Sequence, residues 1–236
     1  MATEQNNSVS VVITAYQCAR YLGQAIESVL VQSRPAQQVI VIDDGSTDDC
    51  ATVVHAYGPQ VQYMYQDNQG IGPARNTGLR LAAGHWLALL DGDDYWTPNK
   101  LADQLAAAAA DPQLEALFGH IQSFVSPELD PAEQARLRAV PGPMPGYCAS
   151  TLLIRRGAFW RVGAFAEQYG VGEFVEWYGR AMEAGVRAQL LPGTLAWRRQ
   201  HANNTTRRNS SKRPDYAHVL KAMLDRRRAA PRADGA

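Results

Sequence analysis

Apolar runs alternate with stretches of helical periodicity throughout the first half of the chain. Short apolar, β-branched runs predict buried strands at 9–14, within 38–49, at 61–66 and at 85–90. Apolar residues at helical spacing predict helices between these strands, at 21–33, in the segment CATVVHAY and at 72–84. Strands that alternate with helices of this length are typical of a mostly parallel sheet with helices packed on it. The pattern therefore predicts an α/β fold.

The second half of the chain continues this pattern less regularly. Helices are predicted at 100–112, near AEQARLRA, late in 149–165, at 172–185 and, as an amphipathic helix, at 215–230. Strands are predicted at 115–125, early in 149–165 and, as two separate strands, in RAQLLP and TLAWRRQH. Residues 126–147 hold five of the 13 prolines and are predicted to be mainly a loop. Neither a repeat nor a linker divides the sequence, so we expect one domain over residues 1–236.

Polar side chains gather where three of the predicted strands end. These groups are Thr14-Ala15-Tyr16, Asp43-Asp44-Gly45-Ser46 and Asp91-Gly92-Asp93-Asp94. Because ligands bind beyond the carboxyl ends of parallel strands, we expect the three groups to converge in one crevice. The carboxylates of the last group would repel one another unless a positive charge lies between them. A D-x-D pair offers hard oxygen ligands to Mg²⁺ or Mn²⁺, which could bridge it to a diphosphate.

The composition is that of an ordinary globular protein, but the charge is unevenly distributed. Of 236 residues 46% are hydrophobic, and 23 basic side chains balance 23 acidic ones. From Arg198 onward there are 11 Lys and Arg against 3 Asp and Glu, so this segment carries +8 and residues 1–197 carry −8. A basic segment after an acidic body favours an anionic ligand or surface near the C-terminal part, or else a solvated tail.

The cysteines and the apolar runs bear on the cellular compartment. The three cysteines show neither paired nor metal-type spacing, which predicts free thiols in a reducing cytoplasm. The polar start MATEQNNS lacks the features of a secretory signal. No apolar run reaches the ~20 residues that a membrane span needs. We therefore expect a soluble, cytoplasmic protein.

Taken together, these segments resemble glycosyltransferase family 2, whose members have the GT-A fold and use nucleotide-sugar donors. The resemblance is carried, in this order, by VSVVITAYQC, QVIVIDDGSTDD, GPARNTGLRLAAG and HWLALLDGDDYWTPNKL. It is close over residues 8–105 and looser as far as WRRQHANN. It implies a single Rossmann-like GT-A domain with a mostly parallel central sheet flanked by helices. It also implies a nucleotide-sugar-binding half at 8–112, an acceptor-side half at 113–205, and a basic C-terminal helix and tail at 206–236.

The resemblance implies roles for residues on the donor side. Thr14 and Tyr16 would line the base-binding end, where the Tyr16 ring could stack on the base. Asp43 and Asp44 would accept hydrogen bonds from uracil or ribose, although these residue types also suit a helix cap. Arg75 would face the nucleotide or its phosphates, because a guanidinium fork fits such oxygens. The alternative for Arg75 is a surface position on a helix.

The resemblance also implies a site for Mn²⁺ or Mg²⁺. Asp91 and Asp93 would form the D-x-D pair, with Asp93 as the direct ligand and Asp91 nearer to the ribose and the waters of the metal. His201 would complete the metal site, whereas a lone histidine without this context is more often structural. Arg198 and Arg199 could neutralise the diphosphate as it departs.

One departure from the family pattern concerns the general base. Inverting relatives carry Glu-Asp at the start of the helix that corresponds to 172–185, with the Asp as the base, but this chain has Glu173-Phe174. Glu173, or Glu176 about one turn further on, could take over the role, and we favour Glu173. If neither does, the chain would be a weak enzyme, would use an acceptor that is already nucleophilic, such as a thiolate, or would only bind nucleotide-sugars.

The sequence therefore predicts a metal-dependent inverting glycosyltransferase that moves a hexosyl or N-acetylhexosaminyl group from a UDP-sugar. The acceptor, a glycan, a lipid, a peptide or a small molecule, would approach between residues 141–150 and the C-terminal segment. The alternatives are a nucleotide-sugar-binding protein and a D-x-D phosphatase, although phosphatases of that kind carry the motif after their first strand. Aromatic residues near the basic segment are too few to predict nucleic-acid binding. Peripheral membrane contact and a homodimer are further alternatives.

Overall fold

The first half of the protein has the predicted alternation of strands and helices. The computed structural model describes residues 7–201, Asn204 and residues 214–229. The strands of this half are β1 (Val9–Ala15), β2 (Gln38–Asp44), β3 (Gln62–Gln66) and β4 (Trp86–Asp91). The helices are α1 (Ala19–Leu30), α2 (Cys50–His55) and α3 (Ile71–Leu81). Every strand and helix predicted for this half is confirmed, with ends that differ by a few residues.

The second half contains five further strands and five further helices among the described residues. The strands are β5 (Tyr95–Trp96), β6 (Ala116–Val125), β7 (Met144–Gly146), β8 (Leu153–Arg155) and β9 (Ala188–Gln200). The helices are α4 (Lys100–Ala110), α5 (Pro131–Arg136), α6 (Arg156–Val162), α7 (Glu173–Glu183) and α8 (Pro214–Ala229). The prediction of two strands in the region of β9 was wrong. One strand of 13 residues runs through this region, because β9 stays paired with the full length of β6. The register between the two strands shifts around His120, and this shift lets β9 continue past Pro192 and Gly193.

The strands form one mixed sheet in the order β3-β2-β1-β4-β8-β6-β9-β5, with β7 paired to β6. The long ladders are parallel and join β1 to β2 and β4, β2 to β3, and β6 to β9. The short strands β5, β7 and β8 pair antiparallel to their neighbours. The sheet is therefore parallel among β1 to β4, as predicted, and mixed in the rest.

The register of the parallel strands brings the predicted polar groups to one edge of the sheet. Ala15 at the end of β1 pairs with Asp43 of β2, and Thr14 pairs with Asp91 of β4. Because the three strands run in the same direction, their carboxyl ends and the loops that follow them share this edge.

The core lies on both faces of the sheet, as the alternation of side chains along a strand requires. Val11 and Ile13 of β1 pack in the layer that contains α1, whereas Val12 packs in the layer that contains α3. Gly78 allows α3 to lie this close to the sheet, because a Cβ there would overlap the side chain of Val12. The position of α3 matters for the site, because its first turn lies at the edge of the sheet where β1, β2 and β4 end.

Helix α8 packs on α7 through Val219, which is fully buried, and Met223, which lies against Gly179. At its start, Asp215 accepts a hydrogen bond from the backbone N–H of Gly170 at 2.9 Å. None of the helices in the described part of the chain is long and apolar enough to cross a membrane.

Candidate active site

A cleft of about 810 Å³ opens at the edge where β1, β2 and β4 end. The predicted site residues that line it are Thr14, Tyr16, Asp44, Arg75, Asp91, Asp93 and Glu173. The predicted site residues outside its wall are Asp43, Glu176, Arg199 and His201. The three strand ends thus converge as expected, but their individual side chains do not all face the same space.

Asp43 and Asp44 are both engaged by the protein itself. Asp43 accepts hydrogen bonds from the Ser46 N–H at 2.8 Å and from the Tyr63 hydroxyl at 2.9 Å, so it holds the turn after β2. Asp44 faces the cleft and accepts from the Gln66 amide at 2.7 Å and from two backbone N–H groups of the loop before α3, at 3.0 and 2.8 Å. Asp44 therefore shapes this loop and keeps its remaining lone pairs for a ligand. Both oxygens of Asp43 already accept hydrogen bonds within the protein, and Asp43 does not line the cleft.

Thr14 and Tyr16 offer an unused hydroxyl and an exposed ring to the same end of the cleft. Within the described structure, Thr14 Oγ1 is buried and has no hydrogen-bond partner. A buried hydroxyl without a partner is costly, so this group is suited to a ligand that enters the cleft. The ring of Tyr16 is 45% exposed and available for stacking.

Arg75 lies at the base of the cleft and joins its two sides. The guanidinium Nη2 donates to Asp91 Oδ1 at 2.7 Å, and Nη1 donates to Glu173 Oε1 of α7. Burial by itself lowers the pKa of Arg75, but the charges of Asp91 and Glu173 more than reverse this effect, and its pKa is raised. Arg75 is thus a buried, charged bridge, and in this arrangement its two terminal nitrogens are directed at protein carboxylates.

Asp93 and His201 form the part of the site that could hold a divalent cation. His201 Nε2 lies 2.9 Å from Asp93 Oδ2, and the Asn204 amide reaches the same oxygen at 3.2 Å. Carboxylate oxygen and imidazole nitrogen are suitable ligands for Mn²⁺, so the donor types fit. Among the described residues, however, no three His, Cys, Asp or Glu side chains stand ready as a ligand group. A cation held by these two residues would need its other ligands from the donor or from water.

Asp94, the third carboxylate of the acidic group, points into the protein. It accepts hydrogen bonds from the Ser150 hydroxyl and from the Arg199 backbone N–H, both at 3.1 Å. Burial raises the pKa of Asp94 well above its usual range, and the neighbouring charges of Asp93 and Asp91 raise it further. Asp94 therefore fastens β9 and the turn before β8 to the edge of the cleft.

Arg198 and Arg199 take opposite directions because they are successive residues of β9. Arg198 lines the cleft. Local desolvation lowers its pKa, but the charges of Asp94 and Asp91 outweigh this and raise the pKa. The buried guanidinium of Arg199 lies over the rings of Tyr21 and Phe124, at 4.6 and 4.8 Å from their centroids. The expectation that Arg199 faces the donor is therefore corrected, and Arg198 is the arginine of β9 at the cleft.

The start of α7 separates the two candidate bases. Glu173 lines the cleft and pairs with Arg75, whereas Glu176 points toward α8. Both oxygens of Glu176 are held by Arg180, at 3.1 and 3.0 Å, and Arg226 donates to Oε1 at 2.9 Å. The geometry therefore assigns Glu176 to helix packing and leaves Glu173 as the carboxylate of α7 at the cleft.

The far wall of the cleft contains residues that the sequence did not single out. The segment before β8 contributes Tyr147 and Cys148, within the stretch 141–150 that we expected on the acceptor side. Glu167, which is exposed, and Tyr216 of α8 also line the cleft. Nothing in the local sequence around Glu167 or Tyr216 marks them, because they reach the cleft only through the packing of α7 and α8.

Comparisons with known proteins identify the class of fold. Residues 1–349 of TarS from S. aureus, in a crystal structure with UDP-GlcNAc, superpose with a TM-score of 0.74 and 21% identity. The superposition covers 92% of this chain and 65% of that one. The crystal structure of the same TarS segment with UDP gives a TM-score of 0.71 at 19% identity, covering 92% and 64% of the two chains. The fold is thus that of the GT-A glycosyltransferases.

The sequence comparisons identify the family. The model of glycosyl transferase family 2 matches residues 10–163, and the chain belongs to this family. An uncharacterized glycosyltransferase of Nostoc sp. is 42% identical over 97 residues, which are 39% of this chain and 30% of the relative. Escherichia coli chondroitin synthase is 40% identical over 94 residues, which are 39% of this chain and 14% of the synthase.

A third relative is the E. coli UDP-Glc:alpha-D-GlcNAc-diphosphoundecaprenol beta-1,3-glucosyltransferase WfaP. It is 34% identical over 99 residues, which are 41% of this chain and 39% of WfaP. The match to this chain spans well under half the length of each of these curated relatives.

Proposed function

We propose that the chain binds a UDP-sugar in the cleft and, with a divalent cation, transfers the sugar to an acceptor with inversion at the anomeric carbon. The observation that carries this proposal is the charge of the cleft wall. Apart from the inward-pointing Asp94, its carboxylates belong to Asp44, Asp91, Asp93, Glu167 and Glu173. In the described part of the wall only two arginines, Arg75 and Arg198, oppose them.

A diphosphate could not enter such a wall without further positive charge. Arg75 is committed to Asp91 and Glu173, so Arg198 is the cation that remains for a phosphate. An excess of like charge raises the cost of bringing in an anion. A divalent cation at Asp93 and His201 would supply the missing charge and stabilise the diphosphate as it departs.

The remaining groups support a nucleoside at the other end of the cleft. The Thr14 hydroxyl and the Tyr16 ring would contact the base or ribose, and the free lone pairs of Asp44 would accept from the same part of the nucleotide. The names of the relatives support a UDP-sugar as donor, since WfaP uses UDP-Glc and TarS was crystallised with UDP-GlcNAc. The same names favour a hexosyl or N-acetylhexosaminyl group.

In the transfer step an acceptor oxygen attacks the anomeric carbon and forms the new glycosidic bond. The bond from that carbon to the phosphate oxygen breaks, and UDP leaves with the electron pair. The proton of the acceptor hydroxyl passes to a base at the cleft, for which we propose Glu173. Arg198 lies where it could stabilise the departing diphosphate.

A nucleotide-sugar-binding protein without transferase activity is the second candidate, and Phe174 favours it. By the family resemblance this residue corresponds to the catalytic Asp of inverting relatives, and its side chain cannot accept a proton. An acceptor that is already ionised, such as a thiolate, would remove the need for a base and preserve the activity.

Calorimetric titration with UDP in the presence and absence of Mn²⁺ tests the donor site. We expect tight binding with Mn²⁺ and weak binding without it. Release of UDP from UDP-glucose and UDP-GlcNAc, measured with water, sugar and thiol acceptors, then separates an enzyme from a binding protein. Absence of UDP binding under both conditions would refute the donor site, and binding without turnover on any acceptor would favour the second candidate.

A further inference from the structure

Two of the three cysteines lie against each other at the wall of the cleft. Cys18 precedes α1 and Cys50 begins α2, and both side chains are buried in the same layer of the core, at 7% and 0% exposure. The two thiols are hydrogen-bonded to each other, and this contact, together with burial, raises the pKa of Cys18 well above its usual range. Both cysteines are free, and neither takes part in the transfer step proposed above.

Hydrogen bonds around the pair hold its two backbone segments together. The Asp48 carboxylate spans them, because one oxygen accepts from the Ala19 N–H at 2.9 Å and the other from the Cys50 N–H at 3.2 Å. Nearby, the Gln17 N–H donates to Ser46 Oγ at 3.0 Å. The loop between β1 and α1 is thus fastened to the loop between β2 and α2 at the point where the thiols meet. A disulfide can form only where the two backbones already lie close together, and this arrangement meets that requirement.

Only Cys18 of the pair can be reached from the cleft. Cys18 is among the residues that line the cleft, whereas Cys50 is not. The Cys18 sulfur packs over the backbone of Gly92, where a Cβ would lie 2.9 Å from it, so the pair borders the acidic group after β4. A small oxidant that enters the cleft therefore meets Cys18 first. Because the raised pKa of Cys18 leaves little thiolate at neutral pH, this reaction should be slow.

We propose that Cys18 and Cys50 are an oxidation site, at which hydrogen peroxide converts the two thiols to a disulfide. The Cys18 sulfur attacks one oxygen of the peroxide, the O–O bond breaks, water leaves, and Cys18 becomes a sulfenic acid. The Cys50 sulfur then attacks the Cys18 sulfur, the S–O bond breaks, and a second water leaves. The two thiols together lose two electrons and two protons, and the peroxide takes up both.

The bond would lock the segment that carries Tyr16 to the loop after β2. It would close a loop of about 30 residues, and such a cross-link stabilises a protein by restricting its unfolded chain. Because the two thiols are already in contact, neither loop needs to move for the bond to form. The proposal does not depend on transferase activity or on a metal, since the disulfide can be detected without donor or acceptor.

The test treats the full chain with hydrogen peroxide until its thiol content is constant. Remaining thiols are blocked with N-ethylmaleimide in denaturant, and linked peptides are mapped by mass spectrometry after digestion. We expect one bond within the chain, between Cys18 and Cys50, that dithiothreitol reverses, with Cys148 outside it. The matched control is the same chain oxidised in concentrated urea, where all three pairings should form. Blocked thiols at both Cys18 and Cys50 after oxidation of the folded chain would overturn the proposal, as would the mixture of the urea control.

Two variants, each with Cys148→Ser, test the order of the steps. Cys50→Ser leaves Cys18 without a partner at the cleft, so peroxide should add oxygen to Cys18. Cys18→Ser should leave Cys50 unmodified, because Cys50 has no exposed surface. Oxygen added equally fast to Cys50 would overturn the assigned order. Circular dichroism checks that both variants fold, and the peptide map of the parent chain decides the pairing without them.

Urea unfolding tests whether the thiols are positioned for the bond. The comparison uses the Cys148→Ser variant, reduced or oxidised, so that the bond between Cys18 and Cys50 is the difference between the two samples. The oxidised form should have a midpoint about 1 M higher. A lower midpoint would mean that the bond distorts the two loops, which would overturn the inference that they need not move.

Discussion

Replacing Arg75 by methionine is expected to destabilise the protein strongly. The substitution keeps a long side chain of similar volume but removes the charge that Asp91 and Glu173 share. Arg75 and Glu173 have side chains that are 4% and 7% exposed, so Glu173 would be left as a buried carboxylate without its partner. Asp91 is 32% exposed, so water would compensate part of the loss of its ion pair with Arg75.

The magnitude follows from this difference in burial. Removing one partner of a buried ion pair costs about 3–5 kcal/mol, because the remaining charge is uncompensated. Most of that cost would come from Glu173 and a smaller part from Asp91. Domains of this kind have a total free energy of unfolding of about 5–15 kcal/mol, so the loss would be a large fraction of it.

Urea unfolding followed by the fluorescence of the five tryptophans measures the effect. With a urea dependence of about 3 kcal/mol per molar at most, the midpoint should fall by about 1 M or more. Arg161→Met is the matched control. Arg161 also makes two hydrogen bonds to one carboxylate, that of Glu115 at 2.8 Å each, but its side chain is 48% exposed. An exposed pair contributes about 0–1 kcal/mol, so this variant should lose little.

A second substitution tests the cause of the loss. In the Arg75→Met background, Glu173→Gln removes the unpaired charge and should restore part of the lost free energy of unfolding. If Arg75→Met costs no more than Arg161→Met, or if Glu173→Gln restores nothing, then Arg75 is not the compensating charge that its contacts indicate.

Three further predictions concern the cleft and the core. Asp93→Ala should abolish the Mn²⁺-dependent part of UDP binding in calorimetry while the urea midpoint stays near that of the parent, and unchanged binding would exclude Asp93 as a metal ligand. Glu173→Gln should lower turnover per folded molecule by about 10²-fold or more with UDP affinity kept, whereas Glu176→Gln should not. Both variants remove a partner of a buried or partly buried arginine, so both should lower the urea midpoint. Equal turnover in Glu173→Gln and the parent would remove Glu173 as the base. Burial lowers the pKa of Lys100 in the folded protein well below its ordinary value of about 10.4. Between these two pKa values the unfolded chain binds a proton that the folded chain lacks, so the free energy of unfolding rises with pH over this range. Lys100→Met should flatten this rise in urea titrations from neutral to alkaline pH, and parallel pH profiles would contradict the assignment.

The parallel half of the fold could be predicted because its signals are local. Four apolar runs, the helices between them and the polar groups at the strand ends are visible as patterns of a few residues each. The two-residue strand β5 and the three-residue strand β7 are too short to show any period. The continuity of β9 could not be predicted either, because Pro192-Gly193 reads as a break and only the shifted pairing with β6 carries the strand past it.

The direction of individual side chains was the harder part of the site. Arg198 and Arg199 are adjacent in the sequence, and only the register of β9 between β6 and β5 decides which of them lines the cleft. Likewise, Glu173 and Glu176 lie about one turn apart on α7, yet α8 arrives from a remote part of the chain and places Arg226 against Glu176. Such contacts depend on tertiary packing that no short segment encodes.

Phe174 shows that the departure from the family pattern is built into the core. Its side chain is 7% exposed, and its ring lies 5.9 to 6.5 Å from four other rings, those of Phe118, Phe165, Trp177 and Tyr178. A carboxylate at this position would be largely desolvated among these aromatic side chains, which is a costly arrangement. Phe174 therefore belongs to an aromatic layer of the core that also forms part of the cleft wall. If the reaction needs a proton acceptor, it must come from the cleft-facing Glu173, from another group of the wall, or from the acceptor molecule itself.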